Sequence, residues 1–277
     1  MKCSEDYFYT IDGLRLYYQH CVLNAPKILL IIIHGLGEHS HRYQNLMDAM
    51  VPRRMGVAAF DLRGHGRSEG RRGHIRSFHE YLQDVHQFIQ LCKVLHPEPC
   101  KFFLVGHSLG GLIALAYCLE RTEFLSGVVV SGPAIGVRLQ VPNYKKILAS
   151  ALSTFLPSIR FQNEVHPHFL SRDPLVIESY LSDPLVHHEA TARFYTETIK
   201  AMAEVRRDIP ALRLPVLFLQ GESDRIVDPR ATEQAFRSIQ FKDKTLLTYP
   251  NSLHEVFNDL DKERVFEDFY HWIQKHV

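Results

Sequence analysis

Gly106-His107-Ser108-Leu109-Gly110 decides the reading of this chain. The five residues fit the pattern G-x-S-x-G. Residues 102–105, before it, read as a buried strand, and residues 110–119, after it, read as a helix. That strand–turn–helix setting turns a common five-residue match into a nucleophile signal. A serine at so sharp a turn is held in strained backbone angles. Side chains two residues to either side would collide, so both positions need glycine. The hydroxyl then projects above the sheet beside a helix N-terminus, where an oxyanion is favoured.

Outward from the elbow, strand and helix alternate. Residues 7–10 and 14–19 flank Asp12-Gly13, a hairpin signal. Residues 28–33 are apolar on both faces, as a central parallel strand requires. Residues 57–60, 128–130, 216–219 and 246–248 read as further buried strands. Residues 43–53 and 262–275 read as helices. So do residues 78–95, where Leu82, Val85, Phe88, Ile89 and Cys92 follow a helical period. This alternation predicts an α/β fold with a mostly parallel sheet flanked by helices.

One long stretch breaks the pattern. Residues 134–212 contain no buried strand and are punctuated by Pro142, Pro157, Pro167, Pro174 and Pro184. A loop of that length is not expected inside a compact domain. The expected organisation is therefore a catalytic body, residues 1–133 and 213–277, with a helical cap insertion at 134–212. Within the cap, Ile147, Leu148, Ala151, Leu152, Phe155 and Leu156 share one helical face. Ser150, Ser153 and Thr154 lie opposite, and Lys145 and Lys146 precede them. Such a stripe packs on the body, or it lines an acyl tunnel or grazes a membrane surface.

A serine hydroxyl needs a base, and in this architecture an acid and then a histidine follow it in the chain. Asp224 comes just after the strand at 216–219, where functional groups gather in open sheets. Its rivals fit less well. Glu222 follows the strand too early, and Asp228 suits the N-cap of a helix starting at Pro229. His254 is the only histidine between Asp224 and the last helix. It reads as the general base, with Asp224 fixing its tautomer. The oxyanion donors should be the N–H of Leu109, after the nucleophile, and of Leu36, in the loop after the first parallel strand. His34 and His65 read as loop-bracing histidines.

Composition narrows the function classes. In 277 residues, 32 Lys and Arg nearly cancel 31 Asp and Glu, so a field-driven nucleic-acid binder is not expected. The five cysteines are odd in number and form no C-x-x-C pair, which reads as reduced thiols in a cytoplasmic protein. The first residues lack the apolar run of a secretory signal, and no apolar run is long enough to span a bilayer. No metal-ligand spacing stands out and no cofactor is expected. With 17 His present, activity should fall below about pH 6.5 if His254 must be neutral.

Taken together, these residues resemble the monoacylglycerol lipase and lysophospholipase group of α/β-hydrolases, the serine aminopeptidase-like hydrolases. The resemblance rests on His34-Gly-Leu-Gly-Glu-His-Ser-His-Arg-Tyr43, Asp61-Leu-Arg-Gly-His-Gly-Arg-Ser-Glu-Gly70, the elbow, Gly221-Glu-Ser-Asp-Arg-Ile-Val227 and His254-Glu-Val-Phe257. The cap pieces Ser171-Arg-Asp-Pro174 and Asp183-Pro-Leu-Val186 match as well. The match implies a triad of Ser108, Asp224 and His254 with Leu36 and Leu109 at the oxyanion. A Glu and an Arg of the family's first loop lie near the site, here Glu38 and Arg42. They either brace their own loop, the reading favoured here, or bind a glycerol or phosphate head as substrate-binding residues. Mammalian members carry a second histidine three residues after the base, near the glycerol hydroxyls. Phe257 stands there in this chain.

The resemblance implies a serine ester hydrolase of single-chain lipids, monoacylglycerol first, with a lysophospholipase or broad esterase as the alternative. The expected location, from the cysteines and the cap stripe, is cytoplasmic or peripheral at membranes. A peptidase or amidase would use a cap carboxylate, from Glu164, Asp173, Glu178, Asp183, Glu189, Glu197 and Glu204, to hold a substrate amine. A ligand-binding relic would have lost a triad member.

Overall fold

The computed structural model of the chain describes residues 2–23, 25–97, 99–138, 152–163 and 165–277. Eight strands form one sheet in the order β1(Lys2–Tyr9), β2(Arg15–Val22), β4(Gly56–Phe60), β3(Ile28–Ile33), β5(Lys101–His107), β6(Leu125–Ser131), β9(Val216–Gly221), β10(Lys244–Tyr249). β1 and β2 form the expected hairpin, and β2 runs antiparallel to β4. Every other neighbour pair is parallel.

The strand side chains sort by the period of two. From β3, Leu29, Ile31 and Ile33 enter one core with α2(His79–Leu95) and α3(Leu109–Glu120). Ile28, Leu30 and Ile32 enter the other, with α1(Gln44–Met50) and α7(Lys262–Lys275). A strand buried on both faces explains the continuous apolar run. Full burial of each such side chain stabilises by about 1.5–3 kcal/mol. β10 departs from its reading as a buried strand. It is the sheet's edge, and most of its residues are half-exposed.

Two further differences concern the insertion and the cysteines. Within residues 134–212 the structure holds a small antiparallel pair, β7(Arg160–Gln162) with β8(Glu189–Thr191), and α4(Pro174–Ser182). It also holds α5(Ala192–Asp208). Phe194, Ala201, Met202 and Val205 of α5 join the core that contains α3. The helix therefore packs beside α3, within the crossover from β6 to β9. The expected boundary at 212 places this helix in the insertion. The expected cap stripe at Ile147, Leu148 and Ala151, with Lys145, Lys146 and Ser150, lies outside the described residues. Phe155 and Leu156 are exposed.

The expectation of five reduced thiols is also corrected. The β1–β2 register sets Cys3 directly opposite Cys21, and the two form a disulfide. Eighteen residues of separation hide that pairing from a search for close spacing. Cys92, Cys100 and Cys118 are free. No described helix is long and apolar enough to cross a membrane.

Candidate active site

Ser108 sits where β5 turns into α3, with φ 52° and ψ −115°. This is the strained conformation expected of the elbow. Its flanks explain themselves sterically. A Cβ on Gly106 would lie 2.3 Å from the Gly110 carbonyl oxygen, and one on Gly110 would lie 2.1 Å from that of Ile33. The turn is fixed from beneath. Ser108 N–H donates to Ser131 O at 3.0 Å, while Ser108 O accepts from Leu112 and Ala134 N–H at 3.0 and 2.9 Å.

The loop after β3 arrives on the other side. A Cβ on Gly35 would stand 3.3 Å from Ser108 Cβ, so the backbone that leads to Leu36 lies against the serine. Leu109 is the first residue of α3. Among the described residues no hydrogen bond engages the N–H of Leu36 or Leu109.

Asp224 and His254 are brought together. His254 Nδ1 and Asp224 Oδ2 are 2.7 Å apart, and both residues are buried. Asp224 Oδ1 accepts from the N–H groups of Ile226 and Val227 at 2.8 and 3.0 Å. Burial alone would raise this carboxyl's pKa. The neighbouring His254 and the two backbone donors outweigh that and hold it below the ordinary value. The imidazole of His254 is likewise opposed by burial, yet Asp224, Glu255 and Glu38 raise its pKa above the ordinary value.

The pair is seated at the elbow through two neighbours. The His107 ring lies 4.6 Å from that of His254. Gly132, at φ 48°, makes room: a Cβ there would be 3.1 Å from His254 Nδ1 and 3.4 Å from Asp224 Oδ2. Burial and the adjacent His254 push His107 down to about 4, so it stays neutral. The rival acids are occupied elsewhere. Asp228 caps α6(Pro229–Ser238), accepting from Arg230 N–H, and Glu222 accepts from the Thr248 hydroxyl.

His34 and His65 brace loops. His34 Nε2 accepts from Leu62 N–H at 2.9 Å while its Nδ1 donates to Gly35 O at 2.7 Å. His65 Nδ1 lies 3.1 Å from Arg63 O.

Glu38 and Arg42 are likewise engaged within the protein. Glu38 Oε1 accepts from Gly35 N–H at 2.5 Å and from the Tyr43 hydroxyl at 2.9 Å. Arg42 Nε donates to Glu38 Oε2 at 3.1 Å. Its Nη2 donates to both oxygens of Glu255, at 2.8 and 2.6 Å. Both side chains are buried, as a bracing role requires. The sequence reading missed Glu255. Its one signal was a carboxylate immediately after the candidate base. Phe257 is buried, with Phe266 and Phe269 beside it, and offers the site no polar atom. Among the described residues no group of three or more His, Cys, Asp or Glu is arranged to hold a metal ion.

The chain is similar to known proteins over most of its length. The family model described as serine aminopeptidase, S33, matches residues 24–261. Monoacylglycerol lipase of Mycolicibacterium smegmatis is 30% identical over 99% of this chain and 98% of its own length. Monoglyceride lipase of Mus musculus is 32% identical over 91% of this chain and 84% of its own. The crystal structure of Paleococcus ferrophilus monoacylglycerol lipase superposes with a TM-score of 0.85 at 31% identity, covering 100% of both chains.

Proposed function

The chain belongs to the serine aminopeptidase S33 family of α/β-hydrolases, and from that premise we propose that it cleaves single-chain lipid esters, monoacylglycerol first. The observation that carries the chemistry is the buried Asp224–His254 pair beside a serine in the elbow conformation.

Ser108 Oγ attacks the ester carbonyl as His254 Nε2 takes its proton. Asp224 keeps the His254 Nδ1 proton in place and stabilises the imidazolium. The tetrahedral oxyanion lies between Leu36 and Leu109 N–H, where a donor of this kind contributes about 3–4 kcal/mol. His254 returns the proton to the departing alcohol. Water then repeats the sequence on the acyl-serine and releases the fatty acid.

Substrate class rests on the relatives' names and on the cap, here taken as residues 134–191. Exposed Phe155, Leu156, Leu175 and Leu181 support a transient contact with a lipid surface. An amidase would want a free carboxylate in the cap. Asp173 caps α4, Asp183 pairs with His39, and Glu189 pairs with Arg160, which leaves exposed Glu178 as the cap carboxylate such an enzyme would use.

Phe257 favours a second reading of the head group. With a phenyl ring in the core where mammalian members place a histidine, glycerol recognition is weaker, and lysophospholipids or simple esters should also be accepted. A panel of mono-, di- and triacylglycerols and lysophospholipids tests both readings. Single-chain esters should lead by at least about tenfold in kcat/KM, roughly 1.4 kcal/mol of transition-state discrimination. A preference for triacylglycerol emulsions would overturn the single-chain assignment.

The pH dependence has a definite sign. A base must be neutral, and the raised His254 pKa keeps the imidazolium present to higher pH. The acid limb of kcat/KM should therefore have its midpoint above 6.5, higher than an unperturbed histidine would give. A midpoint at or below pH 6 would remove His254 as the base.

A further inference from the structure

Three buried charged side chains bridge the two loops that meet at Ser108. The chain of contacts starts at the oxyanion loop. Gly35 N–H, one residue before Leu36, is held by Glu38 Oε1. The other oxygen of Glu38 accepts from Arg42 Nε, and Arg42 Nη2 reaches both oxygens of Glu255. Glu255 follows His254 directly in the chain, so the path ends on the base loop. The cluster is closed on every side. The Asn258 amide donates to Glu255 Oε2 at 2.9 Å, and the Arg42 guanidinium lies 4.8 Å from the Tyr180 ring of α4. Glu255 N–H donates to Leu170 O at 2.8 Å. Exposure of the three charged side chains is only 4–6%.

From this geometry we infer that Glu255 is a positioning residue, which through Arg42 and Glu38 locks the His254 loop to the Leu36 oxyanion loop. The inference rests on His254 being the base. Buried, doubly hydrogen-bonded guanidinium–carboxylate contacts have a narrow set of allowed geometries, unlike an apolar contact that slides. The base and one oxyanion donor arrive on loops 218 residues apart in sequence. Their relative placement controls turnover, because errors of about 1 Å cost on the order of 100-fold in rate.

The cluster holds two carboxylates and one guanidinium, hence a net charge of −1 close to His254. The titratable and charged groups around His254 are Asp224, His107, Glu38, Arg42 and Glu255. Asp224, Glu255 and Glu38 favour the imidazolium that forms as Ser108 attacks.

The test compares Glu255→Gln, Arg42→Lys and His254→Ala, with thermal melting to verify folding. Glu255→Gln keeps the shape and removes the charge. It should lower kcat at least tenfold with KM within twofold, and move the acid limb down by about half a pH unit or more. Arg42→Lys keeps the charge and loses the two-nitrogen geometry. It should lower kcat with the acid limb unmoved. The inference is overturned if both folded variants keep parental kcat and acid limb, or if the loss is confined to KM. If Glu255→Gln does not fold, Arg42→Lys decides alone by the same kcat criterion. Activity surviving in His254→Ala would instead overturn the mechanism on which the inference rests.

Discussion

Replacing Ser108 by Ala should lower ester turnover by about 10⁴–10⁶-fold while leaving the fold intact. The size follows from the chemistry. Without the hydroxyl no acyl-enzyme forms, and only binding and the oxyanion donors remain to help a water attack directly. A loss of 10⁵ corresponds to about 7 kcal/mol of transition-state stabilisation. The fold should not notice. Among the described residues the Ser108 hydroxyl makes no hydrogen bond, and the contacts that hold the turn come from its backbone. The backbone strain at φ 52° is shared by serine and alanine, so melting should change by less than about 1 kcal/mol. Turnover of a nitrophenyl ester and labelling by a fluorophosphonate probe give the readout. A variant that keeps a tenth of the activity, or that is still labelled, would exclude Ser108 as the nucleophile.

The sheet was legible in the sequence because its strands are buried on both faces. Ile28–Ile33 leaves no other reading for six apolar residues between turns. The elbow was legible for a steric reason, since two glycines at fixed spacing answer to carbonyl oxygens about 2 Å from their would-be side chains. Asp224 and His254 stood out by their order after the serine and by the N-cap setting of Asp228, and the structure holds the two 2.7 Å apart.

What escaped were relations between distant residues. Nothing local in Arg42 or Glu255 announces a bond across 213 residues. Cys3 and Cys21 are paired by strand register, which spacing does not encode. The helix α5 was read with the insertion because no buried strand interrupts residues 134–212, and a helical segment does not announce what it packs on.

Asp224→Asn should reduce kcat by roughly 10⁴-fold with little loss of stability, and the reason is a proton rather than a contact. In the parent, Asp224 Oδ2 lies 2.7 Å from His254 Nδ1 and also accepts from the Gln220 amide; a proton held on Nδ1 leaves Nε2 free for the proposed role of base. An asparagine amide placed there donates to Nδ1 and drives the proton to Nε2. The imidazole then presents a donor where the serine proton must be received. The other carboxyl oxygen accepts from Ile226 and Val227 N–H, and the asparagine oxygen can keep both bonds, so the loop after β9 should hold its shape. The variant also removes the main influence that raises His254, so residual activity should show an acid limb shifted to lower pH. Glu222→Gln is the matched control. Its partner is the Thr248 hydroxyl, on the edge strand, and turnover should stay within about twofold of the parent, as surface changes usually do. Were Asp224→Asn to keep a tenth of the activity while Glu222→Gln lost it, the acid would have to be reassigned to Glu222. A loss confined to Asp224→Asn, at unchanged melting temperature, is the result that tautomer control requires.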